Sequence, residues 1–174
     1  MKIGIDISQL AFERTGVANF LTKFVEALAR VDRANEYILF YSSLRRPVPR
    51  LNIKNPNFKI KAYKFPPTFL ERLWNKFHRF PIENFIGDID VFITSDWVEP
   101  PVKKAKKATI LYDLISYKYP AETHPRIVEV QKRKMSWSKK ETDLFLAISE
   151  SAKSDAIEIL GIEKEKIKVI YPGV

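Results

Sequence analysis

Cysteine is absent from the 174 residues, and histidine occurs only as His78 and His124. The first absence excludes disulfides, a thiol nucleophile and cysteine zinc sites. Two histidines far apart in sequence leave little for a histidine metal site or a Ser-His-Asp triad. No apolar run approaches the roughly 20 residues a membrane-spanning helix needs. Met1 leads straight into a strand pattern rather than a signal-peptide core, which makes the cytoplasm the expected compartment. Neither Gly-x-Gly-x-x-Gly nor a Walker A sequence occurs, and this disfavours dinucleotide and P-loop chemistry.

What is present is enough for a full core: 45% hydrophobic and 13% aromatic residues in a chain of one-domain length. The net charge of +9 is unevenly spread. Residues 44–80 carry ten Lys/Arg against one acid, and residues 103–140 carry eleven against three. Between them, residues 81–102 hold five acids and no base. Clustered positive charge suits an anionic partner, while the lysines of 103–107 also read as a solvated run between elements. Nucleic acid is disfavoured, since no RNP-like, helix-turn-helix or finger pattern accompanies the charge.

Ile3, Ile5 and Ile7 alternate as a short strand, and Tyr37–Tyr41 is a continuous apolar strand of the doubly buried kind. Phe58–Tyr63 alternates with lysines and reads as nearer an edge. Further short apolar runs are Val91–Thr94, Thr109–Tyr112, Leu144–Ile148 and Ile167–Ile170. Helical spacing links Val17, Phe20, Leu21, Phe24 and Leu28. Pro125 opens a helix to about Lys140, Ser149 caps another and Gly161 ends it. Alternating strands and helices predict an α/β fold: a doubly wound, mostly parallel, Rossmann-like sheet with helices on both faces. The final Tyr171-Pro172-Gly173-Val174 follows a strand with no closing helix, as expected of half of a larger architecture.

In such sheets ligands bind beyond the carboxyl ends of the strands. Thr15-Gly16-Val17 opens the first helix and could let a phosphate reach free N–H groups, or could form a tight turn. Ser95-Asp96-Trp97, after the fourth strand, combines hydroxyl, carboxylate and ring as a sugar site would, or makes a capped turn. Tyr112-Asp113, followed by Tyr119, ends the fifth strand, where Asp113 could orient a ligand hydroxyl or hold the loop backbone. Asp88-Ile89-Asp90 precedes its strand, the wrong end for a ligand-bound metal, and Glu150 and Glu158 read as solvated. Residues 68–80 place Phe69, Leu70, Leu73, Trp74, Phe77 and Phe80 on one helical face, with Arg72, Lys76 and Arg79 opposite. That pattern packs on a sheet or lies in an anionic membrane surface, with Arg72, Trp74, Lys76 and Arg79 as membrane-facing candidates.

Seven motifs in order then resemble the N-terminal half of group 1 retaining glycosyltransferases of the two-domain GT-B architecture. They are the opening Lys2–Ser8, Thr15–Phe20, Asn35–Phe40, Asp90-Val91-Phe92, Asp113-Leu114 with Tyr119-Pro120, Ala147–Ser151 and Lys166–Val174. The resemblance implies a single acceptor-binding domain over 1–174, without its C-terminal donor-binding domain and inactive or nearly so alone. It implies transfer of a mannose- or glucose-type hexose to a glycan or lipid-linked acceptor, with no metal or other cofactor and a GDP- or UDP-hexose as co-substrate. Gly16 and its neighbours Thr15 and Val17 would face the donor phosphates. Ser95, Asp96, Trp97 and Tyr119 would serve the acceptor, with Tyr112 and Asp113 as catalytic candidates. The family often has His-Asp where this chain has Tyr112-Asp113. Peripheral attachment to the inner membrane face fits the residue 68–80 segment, and an anionic-ligand or membrane-binding module without transferase activity is the alternative.

Overall fold

The computed structural model describes residues 1–173; Val174 of the final motif lies outside the described residues. The strands are β1 (Lys2–Asp6), β2 (Glu36–Ser42), β3 (Phe58–Tyr63), β4 (Val91–Thr94), β5 (Lys106–Leu111), β6 (Leu144–Ala147) and β7 (Ile167–Val169). All pair in parallel in one sheet of order β3-β2-β1-β4-β5-β6-β7. The order reverses between β1 and β4, so the topological switch point lies there. β3 is an edge strand, as its alternating lysines predict, and the Rossmann-like α/β reading holds.

Helices bury both faces of the sheet. α1 (Gly16–Val31) packs Leu21 and Val25 against Ile3, Ile5, Leu39 and Ile110. The opposite face carries Ile38, Phe40 and Phe92, covered by α2 (Pro67–Leu70), a π-helical turn over Glu71–Lys76 and α3 (Glu83–Ile86). The short α4 (Ile115–Lys118) follows β5. α5 (Pro125–Glu141) and α6 (Glu150–Leu160) close the same side over β5, β6 and β7 through Leu111, Phe145, Met135 and Ala156. Ser149 accepts a hydrogen bond from the Ala152 N–H, and Gly161 ends α6 in the left-handed region, as expected.

Two expectations require correction. Lys106 and Lys107 do not belong to a loop; they begin β5, and Lys107 is buried because Glu99 and Glu141 meet its ammonium at 3.3 and 2.8 Å. A charge taken out of water is tolerated only when paired in this way. The helix expected through residue 80 ends at Lys76, because His78 and Phe80 adopt left-handed backbone with φ of 49° and 61°. The reversal turns Trp74 inward against Phe40 and Phe85, where it is fully buried, so Trp74 is not membrane-facing. Arg72, Lys76 and Arg79 remain exposed, together with the rings of Phe77 and Phe80. No helix among the described residues is long and apolar enough to cross a membrane.

Candidate functional site

The carboxyl ends of β1, β4, β5, β6 and β7 deliver their loops to one edge of the sheet, beside the start of α1. A cleft of about 810 Å³ runs along it, lined by Gly16, Val17, Tyr112, Asp113, Ile148 and Tyr171. Phe20, Lys23 and Arg30 of α1 extend the same wall. The structure thus brings Gly16 and Val17 together with Tyr112 and Asp113, residues about 95 positions apart that the parallel pairing of β1, β4 and β5 places side by side.

The start of α1 is a capped turn. Thr15 Oγ1 accepts from the Ala18 N–H at 3.1 Å and donates to the Phe12 carbonyl at 3.0 Å. Gly16 and Val17, in the first helical turn, have no acceptor for their N–H groups among the described residues. A Cβ built on Gly16 meets no atom within 4 Å, and its φ lies outside the left-handed region. Neither a tight turn nor internal packing therefore calls for glycine there. Gly4 is the contrast: a Cβ would come within 2.7 Å of Ile86 and Phe92, so the fold itself needs that glycine.

Tyr112 is buried with its ring edge-on to Phe20, centroids 5.5 Å apart, and its hydroxyl 3.1 Å from Ser95 Oγ. Burial and the nearby Asp96 and Asp6 carboxylates raise its pKa, while the Ser95 hydrogen bond partly opposes the rise. The phenol keeps its proton and is a neutral donor at neutral pH. Asp113 is exposed; one oxygen accepts from the Ile115 N–H at 3.1 Å and the other is available to a ligand. Of the two alternatives open in the sequence, the bond to Ile115 is the loop-holding one.

The remaining candidates sit differently. Ser95 has no exposed surface and is removed from direct acceptor contact, since Tyr112 stands in front of it. Asp96 is partly buried; its carboxylate and carbonyl each accept from Gln131 Nε2 at 3.2 Å. Burial raises its pKa, with Lys134 and Gln131 opposing the rise. Trp97 flanks a narrow cavity under the β1 loop and gives its carbonyl to Asn75. Tyr119, half exposed, ends α4 on the surface and lines neither large cleft. Asp90 is structural, holding the Lys2 N–H at 2.7 Å, and no metal-binding cluster exists among the described residues.

Sequence reasoning passed over Asp6. It ends β1 at the switch point and is buried; Oδ1 accepts from Ser8 N while Oδ2 has no partner among the described residues. Burial pushes its carboxyl up to about 6, against the opposing Ser8 hydrogen bonds. The available signal was an acid terminating a strand whose isoleucines are all buried. A second cleft of about 770 Å³, separated from the first by the Phe12–Thr15 loop, is lined by Arg14, Arg45, Arg46 and Thr68 and was likewise not anticipated.

One of the solved structures similar to this chain shares its architecture at a TM-score above 0.5. The wall teichoic acid polymerase TagF aligns over 99% of this chain and 38% of its own at 9% identity, with a TM-score of 0.52. HepE from Anabaena, solved with UDP, aligns over 99% of this chain and 44% of its own at 12% identity and a TM-score of 0.49. The lipopolysaccharide outer core galactosyltransferase WaaB aligns over 100% and 46% at 14% identity and a TM-score of 0.48. The chain thus spans less than half the length of these proteins. No curated protein matches the sequence. The family model of Glycosyltransferase Family 4 matches residues 14–174, nearly the whole chain including both walls of the cleft. The chain belongs to Glycosyltransferase Family 4, an N-terminal domain family of the GT-B glycosyltransferases.

Proposed function

We propose that the chain is the acceptor-side half of a retaining, metal-independent transferase that moves a mannose- or glucose-type hexose from a GDP- or UDP-hexose to a glycan or lipid-linked acceptor. The observation that carries the reading is Gly16. It stands unneeded by the fold at the mouth of a cleft, beside N–H groups without acceptors and opposite Tyr112 and Asp113. A missing side chain where nothing inside the protein would touch it leaves room for something from outside, and unpaired N–H groups at the positive end of a helix select an anion.

In this account the donor is held mainly by a C-terminal domain that closes on the cleft and excludes water. The anomeric carbon–oxygen bond to the diphosphate breaks and a bond to the acceptor oxygen forms, the acceptor's proton ending on the diphosphate. Gly16 and Val17 N–H groups face the charge that develops on the leaving diphosphate, as preorganised donors do. Tyr112 supplies a neutral O–H where the family often has histidine, and Asp113 orients a hydroxyl of sugar or acceptor. The work is placed in the cytoplasm, with exposed Arg72, Lys76 and Arg79 toward an anionic membrane.

The test is turnover of a nucleotide-sugar panel by residues 1–174 alone and by a two-domain enzyme carrying them. The expected result is transfer by the second and little or none by the first. Efficient transfer by the 174-residue chain alone would contradict the reading.

A further inference from the structure

The second cleft carries charge and apolar surface that the transfer chemistry above leaves unused. Its volume is about 770 Å³, and Arg14, Arg45 and Arg46 line it with a single acidic residue, Glu13. None of these arginines is in an ion pair among the described residues, and all are exposed. An adjoining hollow of about 640 Å³ shares Arg14 and Arg46 and adds Arg50. Arginines without ion-pair partners lining a concave surface form a focused positive field, and their planar donor forks suit phosphate oxygens.

The arginines are held in place by the fold. Tyr41, buried in β2, donates its hydroxyl to the Pro47 carbonyl at 2.8 Å, and Ser43 Oγ accepts from the Arg46 N–H at 3.1 Å. These bonds pin the turn that presents Arg45 and Arg46. Arg14 sits at φ 67°, a left-handed conformation that costs a non-glycine residue free energy and turns the Phe12–Thr15 loop toward the cleft. Beside the arginines, the walls include Phe12 and Leu44, 48% and 53% exposed, an unusual apolar exposure next to dense charge.

We infer that this cleft binds the acceptor through a phosphate or diphosphate group, with a hydrocarbon chain lying on Phe12 and Leu44: the acceptor is a phosphate-linked amphiphile. The inference rests on the acceptor-side reading of the chain and deepens it. The loop Phe12–Thr15 then separates two anions, the donor diphosphate at Gly16 and Val17 and the acceptor phosphate at Arg14, Arg45 and Arg46.

Amide chemical-shift mapping on the chain tests this with decyl diphosphate, inorganic pyrophosphate and decyl maltoside. Decyl diphosphate is expected to shift Arg14, Ser43, Arg45 and Arg46, and the double substitution Arg45→Ala/Arg46→Ala to weaken it tenfold or more. An unchanged amide spectrum elsewhere shows that the variant is folded. Pyrophosphate is expected at the same residues but at least tenfold weaker, and decyl maltoside is expected not to bind there. Pyrophosphate binding as tightly as decyl diphosphate, or unchanged affinity in the double variant, overturns the inference. UDP shifts at Gly16, Val17 and Asp113 in a two-domain enzyme carrying this chain report separately on the proposed donor contact, so failure of one reading is distinguishable from failure of the other.

Discussion

The hydroxyl of Tyr112 lies 3.1 Å from that of Ser95, both side chains buried where β4 and β5 deliver their loops to the cleft. Ser95 therefore acts through Tyr112, by fixing where its O–H points. Tyr112→Phe and Ser95→Ala should each cost about 1 kcal/mol, the usual net worth of one neutral hydrogen bond. Because they remove the same bond, the double variant should fall short of the sum by about that amount. Urea denaturation of the four proteins measures it; strict additivity would mean the two hydroxyls do not bond.

Asp6 makes stability depend on pH in an unusual direction. Its folded pKa is raised from 3.8 to about 6 by burial, so the native state holds the proton more tightly than the unfolded chain. The contribution is fully present below about pH 4 and is lost as pH rises through about 6. The loss is on the order of 3 kcal/mol. Asp6→Asn removes the titration, so its stability relative to the parent should improve from pH 4 to pH 7 and level off above. A pH-independent difference would contradict the burial of Asp6 as a titrating carboxyl.

A chain of buried charges ties α5 to the sheet. Glu99, with no exposed surface, lies 3.3 Å from Lys107 and 3.4 Å from Lys134, and accepts from Ser138 Oγ at 2.7 Å. Lys107 continues to Glu141, which His78 meets at 2.7 Å while its ring stacks on Trp137. Glu99→Ala leaves the buried Lys134 ammonium without an ion-pair partner and Lys107 with Glu141 alone, and should cost about 3–5 kcal/mol. Lys106→Ala breaks only the exposed pair with Asp143 and should cost less than about 1 kcal/mol. Thermal denaturation separates the two; equal losses would mean the inner network is not dry.

Much of the fold was legible because apolar alternation and helical spacing mark strands and helices locally, as at Ile3–Ile7 and Val17–Leu28. The departures have a common physical origin. Lys107 looks like surface until Glu99 and Glu141, distant in sequence, are packed against it. Trp74 looks like a candidate rim residue until the chain reverses at His78 and Phe80, neither a glycine, so nothing local announces the turn. In the site, Gly16 and Asp113 could be read from their positions after strands. The convergence of Arg14 with Arg45 and Arg46 required the pairing of β1 with β2, which no local pattern states.

Phe77 and Phe80 are exposed beside Arg72, Lys76 and Arg79, and the proposed membrane attachment would use this surface. Vesicles containing phosphatidylserine should retain the chain in flotation, and neutral vesicles should not. Replacing Arg72, Lys76 and Arg79 by alanine should release it, since each basic group near such a surface adds about 1 kcal/mol. Retention that survives the substitution would contradict charge-driven attachment.

The most direct measurement concerns Gly16, where a side chain would fill only open space. In a two-domain enzyme carrying this chain, Gly16→Val should lower kcat/KM for sugar transfer by about 100-fold or more, about 2.7 kcal/mol of transition-state stabilisation. The melting temperature should stay close to the parent's. Full transfer activity with a valine at position 16 would mean that no donor phosphate approaches the start of α1, and that this edge of the sheet is not a wall of the reaction cleft.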